Sequence, residues 1–289
     1  MTSINLKKIR TVILFLFIAG NFSVYGSDNN LFTPTDTTKS SRKPWDKFSV
    51  SLGGFLANYN SGLTLGSNHL GVGLVLNLES ALDLDISAWA LRNKINYRFG
   101  KTQRHGINFG YFQINRTAFK KLGADLEIGD VVIPLGTEIT SKFNFTIFRA
   151  KYDYSFFQDD RVSLGASFGF FIMPISFSVN VKDQTSSSTE MLAPLPVIGL
   201  RSDFLITNKI YYRQSIELLY LSFEGFTGSV LDLDLSLEYR PLKHFGFGLG
   251  INSTKLEITS EGESYPNLDF YGELTSSYVG VYLFGKYAL

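Results

Sequence analysis

The sequence predicts an all-β protein, a transmembrane antiparallel up-and-down β-barrel of about ten strands, with eight or twelve strands as alternatives. Three observations predict it. The chain begins with an export signal, alternates between apolar and polar residues from Lys47 to its last residue, and has 26 Phe and 15 Tyr at a mean hydropathy of only +0.06. A helical membrane protein needs apolar runs of about 20 residues, and none follows Gly20.

The first 26 residues have the layout of a cleavable signal peptide. Lys7, Lys8 and Arg10 precede a short apolar run at 11–20, and Val24 and Gly26 suit the −3 and −1 positions of a cleavage site. An uncleaved anchor is the less favoured alternative, because the run is too short to span a bilayer. Residues 27–46 are polar and predict a flexible periplasmic tail, and residues 47–289 are assigned to the barrel.

Charge and cysteine content exclude several classes of protein. Removal of the three basic residues of the signal would leave 24 basic and 26 acidic residues, without the basic excess that a nucleic-acid partner requires. The chain has no cysteine, which excludes a lipoprotein anchor, disulfides and thiolate metal sites.

Strands are predicted from alternation, because residues two apart share one face. The clearest is Leu231–Arg240, with Leu and Tyr on one face and Asp, Ser, Glu and Arg on the other. The ten predicted strands run near 47–59, 87–99, 105–116, 138–156, 161–180, 189–206, 210–222, 228–240, 243–258 and 269–289. Short connections near 101–103, 158–160, 208–209 and 241–242 alternate with longer ones near 60–86, 117–137, 181–188, 223–227 and 259–268. This alternation predicts periplasmic turns, outer loops and both termini in the periplasm.

The strand at 138–156 does not keep one polarity on each face. Phe143 and Ile147 share parity with Arg149 and Asp153. Either a bulge shifts the register near Thr146, or the upper half of the strand rises above the membrane. The sequence leaves both open.

Alternation alone does not tell which face meets lipid, since a soluble lipocalin-like barrel alternates too. The export signal, the strand lengths and the aromatic residues near strand ends, such as Trp89 and Tyr239, favour lipid outside. The last segment, 278–289, resembles the C-terminal β-signal that the barrel-assembly machinery reads, with Tyr287 and Leu289 as its final apolar positions. Leu289 stands where that signal usually has Phe.

Residues 47–289 resemble an uncharacterised group of bacterial outer-membrane β-barrel proteins. The resemblance is carried by the stretches GVGLVLNLESALDLD (71–85), LRNKINYRFGKTQRHGINFGYF (91–112) and IGDVVIPLGTEI (128–139). It implies the barrel fold and a location in the outer membrane, and it implies no known ligand. We further expect a monomer whose partners are outer-membrane lipids and lipopolysaccharide and, during biogenesis, the barrel-assembly machinery.

Two glycine patterns imitate catalytic motifs. Gly165–Gly169 matches G-x-S-x-G, and Gly246, Gly248 and Gly250 imitate part of a dinucleotide loop. Both lie inside alternating strands with no helix after them. We interpret them as small residues on the lumen wall that leave room for large side chains opposite.

Candidate enzymatic residues are few. Of the three histidines, His105 and His244 fall beside predicted periplasmic turns, so only His69 could lie near the outer rim. An outer-membrane lipid-modifying or proteolytic enzyme with its site at that rim is therefore only the alternative function.

Charged residues in the predicted outer loops allow two further readings. Glu79, Asp83 and Asp85 could bind Ca²⁺, and Lys120 and Lys121 could meet lipid phosphates, although plain solvation is favoured for both sets. No metal and no cofactor is predicted.

The most informative set is the charged face of the strands, which the prediction places in the lumen. Because ten strands enclose little more space than their own side chains fill, and because buried charges must pair, we expect a largely plugged interior. The protein is then a narrow, weakly anion-favouring channel for small solutes or a structural or surface-interaction barrel. The predicted network comprises Arg92, Lys94, Arg98, Arg149, Lys151, Asp153, Arg201, Asp203, Arg213, Glu217, Asp232, Asp234, Glu238, Arg240 and Lys286.

Overall fold

The structure, a computed structural model, describes residues 44–65, 74–123, 125–128, 131–181, 187–223, 225–261 and 271–289. The predicted signal peptide and most of the predicted tail lie outside these residues. No helix within the described ranges is long and apolar enough to cross a membrane.

The described residues form strands and one short helix. They are β1 (Phe48–Leu65), β2 (Leu74–Asn77), α1 (Leu78–Leu82), β3 (Ser87–Phe99), β4 (His105–Lys121), β5 (Leu126–Ile128), β6 (Val131–Ile133), β7 (Glu138–Gln158), β8 (Val162–Val181), β9 (Ser187–Thr207), β10 (Ile210–Phe223), β11 (Phe226–Tyr239), β12 (Phe245–Glu261) and β13 (Tyr271–Ala288).

Ten of these strands close into one antiparallel barrel. The order around the wall is β1-β3-β4-β7-β8-β9-β10-β11-β12-β13, and β13 pairs back onto β1 from Ser49↔Ala288 to Leu65↔Gly272. Closure leaves the ten-stranded wall without a first or last strand, whose free edge lipid would leave without hydrogen-bond partners. The predicted up-and-down barrel of ten strands is confirmed.

The two ends of the barrel differ. At the end that holds both termini of the barrel, the turns are short, as predicted. At the other end, the predicted loop at 60–86 is wrong in part, because β1 continues to Leu65, β2 pairs beside it and α1 follows. The predicted longer connection at 223–227 is also wrong: Phe223 pairs with Phe226, and Gly225 takes a positive φ of 78° in the tight turn.

The outer face of the barrel has two zones, which we call the membrane zone and the collar. The membrane zone, next to the short turns, exposes apolar side chains; on β13 these are Val279, Val281, Leu283, Tyr287 and Leu289. Farther along the same face, in the collar, β13 presents Glu273, Thr275 and Ser277. The apolar span on β13 matches the 9–11 residues that a tilted strand needs to cross a bilayer.

The inner face has the opposite arrangement. Charged side chains fill the membrane zone, whereas the collar encloses an apolar core. Its fully buried members include Ile147, Phe171, Met173 and Ile258. The collar therefore resembles a small water-soluble barrel built on the upper end of a transmembrane one.

Strand β7 shows the change of polarity without any change of register. Its pairing with β4 is continuous from Lys121↔Glu138 to His105↔Tyr154, so the bulge considered near Thr146 is absent there, and the register shift lies at Ser155/Phe157 instead. Phe143 and Ile147 are buried inside, on the same face as Asp153. The proposed bulge near Thr146 is therefore wrong, and this part of the strand lines the apolar core of the collar.

Helix α1 closes the core of the collar from inside. The Asn77 side chain caps the helix by accepting a hydrogen bond from the Ser80 amide at 2.9 Å, and Asp83 ends it in the left-handed conformation with φ 60°. Leu78, Leu82 and Leu84 are buried in the collar core. The helix is therefore held in the barrel by its apolar face.

Candidate functional site: the closed lumen

All fifteen residues of the predicted charge network lie on the inner wall of the membrane zone. Alternation places them there because charged residues share parity on each strand while the opposite parity faces lipid. They divide into a lower cluster near the short turns and a middle layer under the collar, and the contacts within each decide whether space remains for a solute.

The lower cluster is centred on two carboxylates. Asp203 forms ion pairs with Arg98 at 3.0 Å, with Arg213 at 3.7 Å and with Arg201. Asp153 lies 3.8 Å from Arg201. Three guanidinium groups thus share two carboxylates. These ion pairs link strands β3, β7, β9 and β10 across the lumen.

A second group of ion pairs joins the last strands. Glu238, which is almost completely buried, lies 2.5 Å from Arg213, 2.6 Å from Arg240 and 3.1 Å from Lys286. Its position among three cations provides the compensation that a buried carboxylate requires.

The middle layer contains more isolated pairs. Asp232 is fully buried and accepts hydrogen bonds from Arg149 at 2.8 Å and Thr254 at 2.5 Å. Asp234 accepts from Arg92 at 2.5 Å and from the Tyr282 hydroxyl at 2.9 Å.

Two more contacts complete this layer. Glu217 accepts a hydrogen bond from Lys151. The Arg149 guanidinium lies 4.7 Å from the centre of the Phe171 ring, in a cation–π contact at the boundary with the apolar core.

Sequence reasoning misses an acidic member of the network, Asp46, which lies in the predicted flexible tail. Asp46 bridges Arg240 at 2.6 Å and Lys286 at 2.9 Å. Burial would raise the pKa of Asp46, but the Lys286 ammonium and the Arg240 guanidinium outweigh it and lower that pKa well below its usual range.

The neighbouring Trp45 is buried as well, and its indole N–H donates to the Asp159 carbonyl at 2.7 Å. The predicted boundary between tail and barrel at residue 47 is therefore corrected: Trp45 and Asp46 close the lower end of the lumen. A lone Trp within a polar segment was the signal that could have indicated this.

A second missed pair lies in the collar. Arg116 donates to Glu79 at 2.6 Å and to the Ser61 hydroxyl at 2.9 Å, and its guanidinium lies 4.9 Å from the centre of the Phe143 ring. The favoured reading of Glu79 as a solvated loop residue is therefore wrong, because its carboxylate is paired with Arg116 and largely buried. Asp83 and Asp85 are exposed, and the described residues contain no cluster that could hold a metal.

The glycine patterns have the role predicted for them. A Cβ on Gly250 would lie 2.3 Å from the Tyr282 ring, and one on Gly248 would lie 2.5 Å from the Phe284 ring. A Cβ on Gly165 would lie 3.1 Å from Nε of Arg201. These glycines on the inner wall, which lack a side chain, therefore make room for the large side chains that fill the lumen.

The remaining candidates lie apart from the network. His105 contacts the Tyr152 hydroxyl at 2.6 Å and His244 the Ala288 carbonyl at 2.8 Å, both near the short turns, whereas His69 lies outside the described residues. Lys120 donates to the Ser80 carbonyl at 2.9 Å, and Lys121 is exposed.

The C-terminal residues close the barrel. The Leu289 carbonyl accepts hydrogen bonds from the amides of Lys47 at 3.0 Å and Phe48 at 3.3 Å. Tyr287 points outward, and its ring centre lies 5.0 Å from that of Phe245. The two predicted signal positions thus belong to the seam between the first and last strands.

The space left inside the membrane zone is small. Three cavities lie among the charged side chains, with volumes of about 30, 60 and 80 Å³. Each has room for only a few water molecules, since one water needs about 10–15 Å³ by this kind of measure. The expectation of a largely plugged interior agrees with this geometry.

No protein-family model and no curated protein matches this sequence. Among solved structures, the outer membrane protease OmpT from Escherichia coli has a TM-score of 0.53 and 9% identity, over 85% of this chain and 97% of its own. The fold is that of outer-membrane β-barrels.

Two other solved barrels are less similar. The toluene transporter TbuX of Ralstonia pickettii has a TM-score of 0.36 and 8% identity, over 85% of this chain and 90% of its own. The attachment invasion locus protein Ail of Yersinia pestis has a TM-score of 0.35 and 12% identity, over 82% and 99%. At these identities the likeness concerns architecture alone, and no ligand or activity is carried over.

Proposed function

We propose that this protein is a closed, non-conducting barrel of the bacterial outer membrane, which acts as a structural or surface-interaction protein. The observation that carries this proposal is the apolar core of the collar, which lies across the lumen above the charged network. A solute or ion that entered the lower lumen would have to pass through packed Phe, Ile and Leu side chains.

Two barriers of different chemistry support a closed state. The lower one consists of ion pairs, which a hydrated ion could loosen. The upper one is apolar and packed by α1, and such constrictions exclude water as well as ions. The narrow channel that the basic lumen residues suggested is therefore the less favoured function.

Planar-bilayer recording tests the proposal. Wild-type protein should give silent membranes, and a variant in which Leu78 and Leu82 are both replaced by Ser should give conductance steps, because it removes the apolar closure while the charged network remains. Thr259→Ala, an outward change in the collar, is the control and should stay silent. Regular steps from wild-type protein that change with Arg92→Ala or Arg149→Ala would instead support the channel.

The collar offers a surface for the interaction role. Phe119 is 76% exposed on the outer face of β4 and lines a groove of about 430 Å³ together with Lys121, Thr140 and Asn180. Exposed apolar residues with a polar rim often mark interaction sites. The lysine suits a phosphate-bearing partner such as lipopolysaccharide.

Purified lipopolysaccharide is the probe for this surface. Phe119→Ala and Lys121→Gln should each weaken its binding to the barrel, whereas Ser229→Ala, on the outer face of the collar on β11, should leave binding unchanged. If all three variants bound lipopolysaccharide equally, the groove would be excluded as its binding site. The proposal that the barrel is closed would not be affected.

The proposed role is not catalytic. The outer-rim enzyme considered from the sequence would depend on His69. A change in the lipid profile or in proteolysis of the host cell that His69→Ala abolishes would contradict the proposal.

A further inference from the structure

Lys94 occupies an unusual position in the lumen. It lies on β3, and its cross-strand neighbours, Ser51 on β1 and Gly110 on β4, carry no charge. Its side chain lines all three of the cavities described above. No other residue of the described ranges lines all three.

Lys94 also differs from the other basic residues of the predicted network in having no ion pair within the described part of the chain. Two carboxylates that line a cavity together with Lys94 are already paired: Asp234 with Arg92, and Glu217 with Lys151. Including Asp46, the lumen network contains nine basic and seven acidic residues. A charge without a partner in a space of low dielectric is costly, so an ammonium at this place requires a counterion or water.

The cavity of about 60 Å³ beside Lys94 has the composition of an anion site. It is lined by four basic residues, one carboxylate and three neutral donors, together with Gly53 and the rings of Tyr282 and Phe284. The basic residues are Arg92, Lys94, Arg213 and Lys286; the carboxylate is Asp234; the neutral donors are Ser51, Asn96 and Ser236.

We propose that this cavity binds a small inorganic anion of halide size against the Lys94 ammonium. The volume holds such an ion with a few waters, and the anion offsets the surplus positive charge of the network. The cavity of about 80 Å³ below it is lined by Trp45 and Asp46, and it shares Lys94, Arg213 and Lys286 with the proposed site. The site does not depend on whether the collar conducts.

Bromide, which scatters anomalously, is the direct probe. Crystals of the wild-type protein purified from membranes and grown in bromide should show an anomalous peak within hydrogen-bonding distance of Nζ of Lys94. Absence of a peak there in wild-type crystals would overturn the proposal, and this measurement requires no variant to fold.

Thermal unfolding provides a second measurement. At matched ionic strength, replacing gluconate by chloride should raise the Tm of the wild-type barrel by about 2–4 °C. Lys94→Met keeps the length of the side chain but not its charge, and should lose this response. Lys255→Met, a control on the outer face of the collar, should keep it. An equal chloride response in wild type and Lys94→Met would contradict the site.

Discussion

The membrane zone and the collar are built by the same ten strands, with the same side-chain parity, in two different solvents. In the membrane zone apolar residues face out and charges face in; in the collar polar residues face out and apolar ones face in. On β11, Leu235 and Thr227 both point outward, one in each zone, while Asp234 and Val230 both point inward. The level at which polarity is exchanged therefore marks the membrane boundary, and each zone can be disturbed without the other.

The largest effect is expected from the charged interior of the membrane zone. Asp232→Ala leaves the Arg149 guanidinium without its carboxylate partner, which should reduce the free energy of unfolding by about 3–5 kcal/mol. Urea unfolding of the barrel in lipid vesicles measures this. The double variant Asp232→Leu with Arg149→Met should recover most of the loss; if the double variant were as unstable as Asp232→Ala, charge compensation would not explain the effect.

The interior of the collar should respond as a protein core does. Ile258 is fully buried on β12, and Ile258→Ala should cost about 3 kcal/mol through lost burial and the cavity left behind. The next residue, Thr259, points outward, and Thr259→Ala should change stability by less than about 0.5 kcal/mol. The same urea titration compares the two variants. Similar losses of unfolding free energy in both would contradict an apolar core in the collar.

The outer faces give the sharpest test of the boundary. Leu235→Lys places an ammonium against lipid and should cost about 2–4 kcal/mol. Thr227→Lys, on the same face of the same strand, enters water and should cost less than about 0.5 kcal/mol. Equal costs, measured by unfolding in vesicles, would mean that the two positions share one solvent.

Much of the barrel could be predicted because alternation is a local property. The strand at 231–240 and its neighbours followed from parity alone, as did the inward placement of the charged network and of Gly248 and Gly250. Parity gives the two faces of a strand but not the solvent on each side. For the strand at 138–156 the sequence therefore leaves two alternatives, a bulge and a change of zone. The presence of Phe143 and Arg149 on one face of β7 is the signal of the change of zone.

What the sequence could not give depends on contacts between distant segments. Arg116 and Glu79 pair because α1 folds into the barrel, and a five-residue helix between two strand pieces has too few residues to show helical periodicity. Asp46 joins the network from a segment whose composition is that of a tail. The residues next to Asp46 and Glu79 in sequence indicate a tail and a loop, whereas the charges of both are compensated by strands far along the chain.

The smallest expected effect concerns the end of the membrane zone, where Asp46 joins the tail segment to the wall. Asp46→Asn weakens the contacts with Arg240 and Lys286 and should lower the free energy of unfolding by about 1–2 kcal/mol, with exposure of Trp45 as the local sign.

Because the pKa of Asp46 is lowered in the folded state, its contribution to stability is present above the unfolded pKa of about 3.9 and is lost only as pH falls through the lower folded value. In a Trp89→Phe background, the emission of Trp45 should therefore stay constant from pH 7 to about pH 4 and shift to the red only in stronger acid, while Asp46→Asn should be shifted at every pH. A red shift that begins near pH 5 in the protein with Asp46 intact would show that the ion pairs at this end do not hold the segment.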